Sequence, residues 1–159
     1  MNGNWTKEPR YILIIERLEM ITDKSQSEEL RYNKLMAKIL IVDDDINTTW
    51  LIDNIFSKEG YEIHTVNISA NAMSEALVFK PDLILLDLMM PDTDGIAICK
   101  IIKANSELSH IPILMFSAVG DVKRKVEAFN AGVRDFITKP VHVEELKSRI
   151  KTWVNAQES

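Results

Sequence analysis

Four short segments of the chain place chemically capable side chains directly behind apolar runs. Asp43-Asp44-Asp45 follows Ile39-Leu-Ile-Val42, and Asp87 follows Leu83-Ile-Leu-Leu86. Ser117-Ala118 follows Ile113-Leu-Met-Phe116, and Lys139-Pro140 follows Asp135-Phe-Ile-Thr138. Each has an ordinary explanation when taken alone, because an acid behind a strand often caps the next helix and a loop lysine is usually solvated. Gathered at one place they mean more. Crowded carboxylates repel one another and stay ionised cheaply only beside a divalent cation or an ammonium group. These strings offer oxygen ligands with neither His nor Cys, a set that suits a hard ion such as Mg²⁺ better than zinc. A hard cation, an ammonium, a hydroxyl and a carboxylate are together the parts of a phosphoryl-transfer site. The two cations neutralise equatorial oxygens, the hydroxyl donates a hydrogen bond, and the carboxylate can be the covalent acceptor.

Whether the four segments meet depends on the elements that carry them. With Tyr61-Glu-Ile-His-Thr-Val66, the chain from residue 37 onward has five apolar runs, each short enough for a strand. Stretches of helical period separate or follow them. Their apolar faces are Leu51, Ile52, Ile55 and Phe56; Ala72, Met73, Ala76 and Leu77 within Ser69 to Phe79; Ile98, Ile101 and Ile102; Val122, Val126 and Phe129; and Val143, Leu146, Ile150 and Trp153. Gly60 and Gly132 stand just past helices, and Pro81 stops another. Asp45 is placed to cap the helix that contains Trp50. Continuous apolar strands imply burial on both faces, and β-α alternation with short connections implies parallel strands joined by right-handed crossovers. The pattern therefore predicts a doubly wound α/β fold. In such sheets the functional crevice lies outside the carboxyl ends of the strands, where all four segments would come together.

Composition narrows the remaining classes. Hydrophobic residues make up 46% of the 159 and charged residues 27%, which predicts a packed core rather than a disordered chain. The 19 basic and 24 acidic residues leave a net charge of -5, which argues against direct nucleic-acid binding. A single cysteine, Cys99, excludes an internal disulfide and reads as core filler in a reducing compartment. The apolar run at Tyr11–Ile15 is far short of the ~20 residues of a membrane span and lacks the flanks of a signal peptide, so the expected location is the cytoplasm with no membrane contact. Residues 1–36 differ from the rest. Their charges balance, with Ile14, Leu18 and Ile21 at helical spacing. They read either as a helical N-terminal extension or as a mis-assigned start ahead of Met36, and the sequence leaves both open. The main domain is expected over 37–155, with 156–159 as a tail.

The strings Ile39-Leu-Ile-Val-Asp-Asp-Asp45 and Asp87-Leu-Met-Met-Pro-Asp-Thr-Asp-Gly95, with the pairs Ser117-Ala118 and Lys139-Pro140, closely resemble the receiver domain of two-component response regulators. The order and the spacing, thirty residues from Asp87 to Ser117 and twenty-two from Ser117 to Lys139, strengthen the resemblance. What it implies is a (βα)5 sheet in the flavodoxin-like strand order 2-1-3-4-5. It further implies Asp87 as phosphoacceptor, with Asp43, Asp44, Asp87 and the backbone carbonyl of Met89 as Mg²⁺ ligands. Ser117 would bind the phosphoryl group, Lys139 would pair with it ahead of a cis Pro140, and Ser117 and Phe136 would form the switch. Phe136 stands where a Tyr or His is often found, so the ring loses its polar handle. The implied partners are a sensor histidine kinase or a phosphotransfer protein, and a downstream protein target reached through the fourth helix, fifth strand and fifth helix. A homodimer is a further option.

The resemblance also implies that the chain is no ordinary enzyme but catalyses only its own phosphorylation and slow dephosphorylation. Met89 and Val119, two residues past the acceptor and the hydroxyl, are both apolar and offer nothing to hold an attacking water. With only a few residues after Trp153, a stand-alone regulator resembling the chemotaxis regulators is expected. A haloacid-dehalogenase-like phosphatase would need a second Asp at position 89, which is Met, and an FMN carrier would need a phosphate cradle where Asp43-Asp44-Asp45 would repel it. The rival that survives is a receiver-like module that takes no phosphate and signals by binding alone.

Overall fold

The structure, a computed structural model, describes residues 20–28, 37–118 and 120–156. Residues 20–28 form a helix in a unit separate from the rest, with the Ser25 and Ser27 hydroxyls donating to the carbonyls of Thr22 and Lys24. Ile14 and Leu18 lie outside the described residues.

From Lys38 the chain alternates strand and helix: β1 (Lys38–Val42), α1 (Ile46–Lys58), β2 (Glu62–Val66), α2 (Ala72–Phe79), β3 (Leu83–Asp87), α3 (Gly95–Ala104), β4 (Ile113–Ser117), α4 (Val122–Ala131), β5 (Asp135–Thr138) and α5 (Val143–Asn155). The strands form one parallel sheet, as the sequence pattern predicts, in the order β2-β1-β3-β4-β5 that the resemblance implies. A 3₁₀ turn, Ser69–Asn71, precedes α2, so the helix expected from Ser69 onward starts at Ala72.

The pleat explains why the strand runs are continuously apolar. On one face Leu40, Val42, Ile84, Leu86 and Met115 pack against Ala72, Ala76, Ile96, Cys99, Ile102 and Ala128 of α2, α3 and α4. On the other, Ile39, Ile41, Leu83, Leu85, Leu114, Phe116 and Ile137 pack against Ile52 and Phe56 of α1 and Leu146, Ile150 and Val154 of α5. With helices on both faces, every residue of β3 and β4 is buried. Cys99 is buried in the first of these cores.

One predicted face is corrected. Val122, Val126 and Phe129 do share a side of α4, but that side is turned to solvent, with exposures of 70%, 56% and 52%. Ala128 is the residue of α4 that enters the core, because its small side chain lets the helix lie against the sheet. Leu51 and Ile101 are likewise exposed, while their neighbours Ile52 and Ile102 are buried.

Candidate functional site

Parallel register brings the predicted segments into line. Val42 pairs with Leu86, Asp87 with Phe116 and Ser117 with Thr138, so four strands end in step at one edge of the sheet. The strand ends are tied further by Leu88 N–H donating to the Phe116 carbonyl (3.1 Å) and Lys139 N–H donating to the Ser117 carbonyl (2.8 Å). The Lys139–Pro140 peptide bond is cis.

Asp43, Asp87 and Ser117 are buried, whereas Asp44 is exposed. The Lys139 ammonium joins the two buried acids, at 2.8 Å from Asp43 Oδ2 and 3.3 Å from Asp87 Oδ2. Asp43 Oδ1 accepts the backbone N–H of Asp45 at 3.0 Å, so both of its oxygens are engaged. Asp87 is held less closely, its Oδ1 lying 3.4 Å from the backbone nitrogen of Met89, whose side chain is exposed. Oxygens of Asp43, Asp44 and Asp87 lie within 4.8 Å of one another. Three converging carboxylates without nitrogen or sulfur ligands fit a hard divalent cation such as Mg²⁺. Ser117 Oγ is the one buried side-chain polar atom among the described residues without a hydrogen-bond partner. A buried hydroxyl left unpaired is costly unless an acceptor arrives, and a phosphoryl oxygen is such an acceptor. Phe136, one strand over, is buried with its ring edge-on to Phe129 at 4.9 Å between centroids.

Asp45 does not join the cluster. Its carboxylate accepts the N–H groups of Asn47 and Thr48 and caps α1, as the sequence predicts. The sequence reading omitted the fifth strand end. Asn67, directly after β2, donates to the Asp43 carbonyl (2.8 Å) and to Thr49 Oγ1 (3.0 Å). A polar residue immediately behind a strand was the available signal. Also missed was the ion pair between Arg124 of α4 and Asp94, the N-cap of α3, at 2.6 Å.

The electrostatics follow the geometry. Burial, reinforced by the Asp43 charge and only partly offset by Lys139, pushes the Asp87 carboxyl up to about 6. Burial works against the Lys139 ammonium, but the hydrogen bond to Asp43 and the charges of Asp43 and Asp87 outweigh it and hold Lys139 above the ordinary lysine range. Because the Asp87 value is raised on folding, its favourable contribution is fully present below the ordinary carboxylate value and is lost as pH rises toward and through about 6. Without divalent cation, Asp87→Asn should therefore be more stable than the parent at pH 7.5, by on the order of 2 kcal/mol, and gain little at pH 4. Urea unfolding of both proteins at the two pH values checks this; a gain that does not grow with pH would contradict it.

The comparisons with known proteins agree with this geometry. The family described as the response regulator receiver domain matches residues 39–151. The transcriptional regulatory protein ResD of Bacillus subtilis is 40% identical over 115 residues, covering 72% of this chain and 47% of its own length. The DNA-binding dual master transcriptional regulator RpaA of Synechocystis is 34% identical over 116 residues, covering 73% and 48%. The chain thus spans about half the length of the curated relatives it matches. Among solved structures, the chemotaxis protein CheY4 of Vibrio cholerae superposes with a TM-score of 0.70 at 28% identity, covering 74% of this chain and 98% of that one. A two-component response regulator from Clostridium difficile gives 0.72 at 26% identity, covering 77% and 99%. No helix among the described residues is long and apolar enough to cross a membrane. Five parallel strands in this order, acids and a lysine meeting at their carboxyl edge, and a family match over most of the chain place it in the response regulator receiver family.

Proposed function

We propose that residues 37–155 take a phosphoryl group onto Asp87, from a sensor histidine kinase or a phosphotransfer protein, and pass the signal on through altered protein contacts. Phosphoryl acceptance is the general function of receiver domains. The observation that carries the reading for this chain is Lys139 bridging Asp43 and Asp87 beside an unpartnered, buried Ser117 hydroxyl. Asp87 is the nucleophile because its oxygens are the less committed of the two buried acids. Its carboxylate forms the new O–P bond as the P–N bond of a phosphohistidine breaks, and the imidazole departs with the electron pair. Asp43, Asp44, Asp87 and the Met89 backbone carbonyl are the groups that would hold Mg²⁺, which when bound supplies charge neutralisation on the phosphoryl oxygens. Ser117 donates its hydroxyl hydrogen to a phosphoryl oxygen, and the Lys139 ammonium pairs with another. Phe136, packed against Phe129, would carry that change toward the α4, β5 and α5 face, where a downstream protein or a second copy would bind.

Such a protein works in the cytoplasm, and residues 1–36 are read as an extension ahead of the receiver or as a mis-assigned start. The net charge of -5 supports the reading that this chain makes no direct nucleic-acid contact of its own. Acetyl phosphate tests the proposal. Intact-mass spectrometry should show one phosphoryl group per chain with Mg²⁺ and none without it. No adduct with Mg²⁺ present would favour the module that signals by binding alone.

The phosphoryl group should be lost slowly, over minutes to hours. Met89 presents an exposed apolar side chain beside Asp87, and Val119, which lies outside the described residues, is apolar as well. Positioning a water is typically worth about 10²-fold or more, so its absence is visible in the rate. Decay of the purified phosphoprotein in Mg²⁺ checks this, and a half-life of seconds would refute it. Met89→Asn with Val119→Glu should shorten the half-life.

A further inference from the structure

We propose that Asn67, together with Thr49, is a positioning residue for the acidic cluster: it clips the two ends of the Asp43–Asp45 loop together and so sets how tightly a divalent cation binds. This rests on the Mg²⁺ site of the reading above. One amide hydrogen of Asn67 Nδ2 goes to the Asp43 carbonyl oxygen at 2.8 Å and the other to Thr49 Oγ1 at 3.0 Å. The Thr49 hydroxyl in turn donates to the Ile46 carbonyl at 3.1 Å. The direction of every bond is fixed by chemistry, since a backbone carbonyl can only accept, so the amide nitrogen must face Asp43 and the threonine must spend its single hydrogen on Ile46. Thr49 is 2% exposed, which makes it, with Asp43, Asp87 and Ser117, one of the four buried polar side chains of the described residues.

The clip joins three elements. Asp43 is the first residue past β1, Ile46 and Thr49 lie in the first turn and start of the second turn of α1, and Asn67 follows β2. The Asp43 N–H already donates to the Val66 carbonyl at 3.1 Å, so Val66 and Asn67 hold both backbone polar groups of this residue. The loop so held carries two of the three converging carboxylates, whose mutual repulsion the single Lys139 ammonium offsets only in part and which favours an opened loop until a divalent cation binds. With the clip intact the oxygens are gathered before the cation arrives. Without it, binding must also gather them, and affinity falls. Groups that orient metal ligands without touching the metal are typically worth 10- to 100-fold in affinity.

Calorimetric titration of the unphosphorylated protein with MgCl₂ tests the proposal. Asn67→Ala should weaken Mg²⁺ binding about tenfold, and Thr49→Val, which keeps the buried volume but neither accepts nor donates, should weaken it about fivefold. Thr49→Ser keeps the hydroxyl and should stay within about twofold of the parent. Phosphorylation by acetyl phosphate should then need more Mg²⁺ in Asn67→Ala and Thr49→Val but reach the parental extent at saturation. Unchanged Mg²⁺ affinity in both variants would overturn the proposal and leave Asn67 a purely structural residue. If Asn67→Ala does not fold, the contrast between Thr49→Val and Thr49→Ser decides the matter alone, equal affinities overturning the clip. A parent protein that binds no Mg²⁺ would overturn the reading of the site itself, an outcome separate from failure of the clip.

Discussion

Asp87→Asn should abolish phosphoryl incorporation from acetyl phosphate, by at least about 10³-fold, while the protein stays folded. The nearest alternative acceptors are poor ones. Asp43 is fully buried with one oxygen on Lys139 at 2.8 Å and the other on the Asp45 N–H at 3.0 Å, so both are engaged more closely than those of Asp87, at 3.3 and 3.4 Å. Asp44 is exposed, whereas Asp87 is buried with Oδ2 at 3.3 Å from the Lys139 ammonium. The amide in Asp87→Asn keeps the shape of the carboxylate but removes both its charge and its nucleophilic oxygen. Intact-mass spectrometry after acetyl phosphate and Mg²⁺ measures the loss directly. Stoichiometric label in the variant would mean that another residue is the acceptor and would sink the assignment.

Gly95→Ala should cost about 3 kcal/mol of stability and slow phosphorylation as well, an effect out of proportion to one methyl group. A Cβ at this position would clash with the Asp87 carbonyl oxygen and stand 2.9 Å from Leu88 Cα. Both are backbone atoms, so relief requires moving either the end of β3 or the start of α3. The Gly95 N–H donates to the Leu88 carbonyl at 2.9 Å, and Asp94 caps the helix through the Ile96 N–H, so neither segment is free to retreat. The glycine is there for close approach, and what it approaches is the backbone of the residue assigned as acceptor. Urea unfolding measures the first effect and the rate of acetyl phosphate labelling the second. A variant within about 0.5 kcal/mol of the parent would show that the contact is easily relieved.

How much of this was legible in the sequence depends on the range of the interactions. The strands were readable because Leu83 to Leu86 and Ile113 to Phe116 are apolar at every position, which is what a sheet covered on both faces demands. Asp45 as a cap and Gly132 as a left-handed helix end were readable because both bonding patterns close within a few residues. The side on which α4 meets the sheet was not. Periodicity places Val122, Val126 and Phe129 on one stripe without saying whether that stripe or Ala128 faces inward. Asn67 was missed for a different reason. Its partners, Asp43 and Thr49, are 24 and 18 residues away, so its place directly behind a strand signals the sheet edge but not the groups its amide reaches.

The two helices beside β5 differ in how they are fastened. Asp135, at the start of β5, takes two bonds of 2.7 Å from Arg149 Nη1 and a third of 3.2 Å from Trp153 Nε1, while the adjacent Phe136 N–H donates to its Oδ1. Burial opposes the charge, but these donors prevail and hold the Asp135 carboxyl below the ordinary carboxylate range. Helix α5 is thus riveted to its strand by a charged joint and three buried residues, Leu146, Ile150 and Val154. Helix α4 contributes one buried residue, Ala128, and its charged tether runs from Arg124 to a different helix cap, at Asp94. A load applied at Ser117 or Phe136 therefore meets a stiff wall on the α5 side and a yielding one on the α4 side. A deformation starting there would be expected to move α4 before α5, and with it the exposed Val122, Val126 and Phe129.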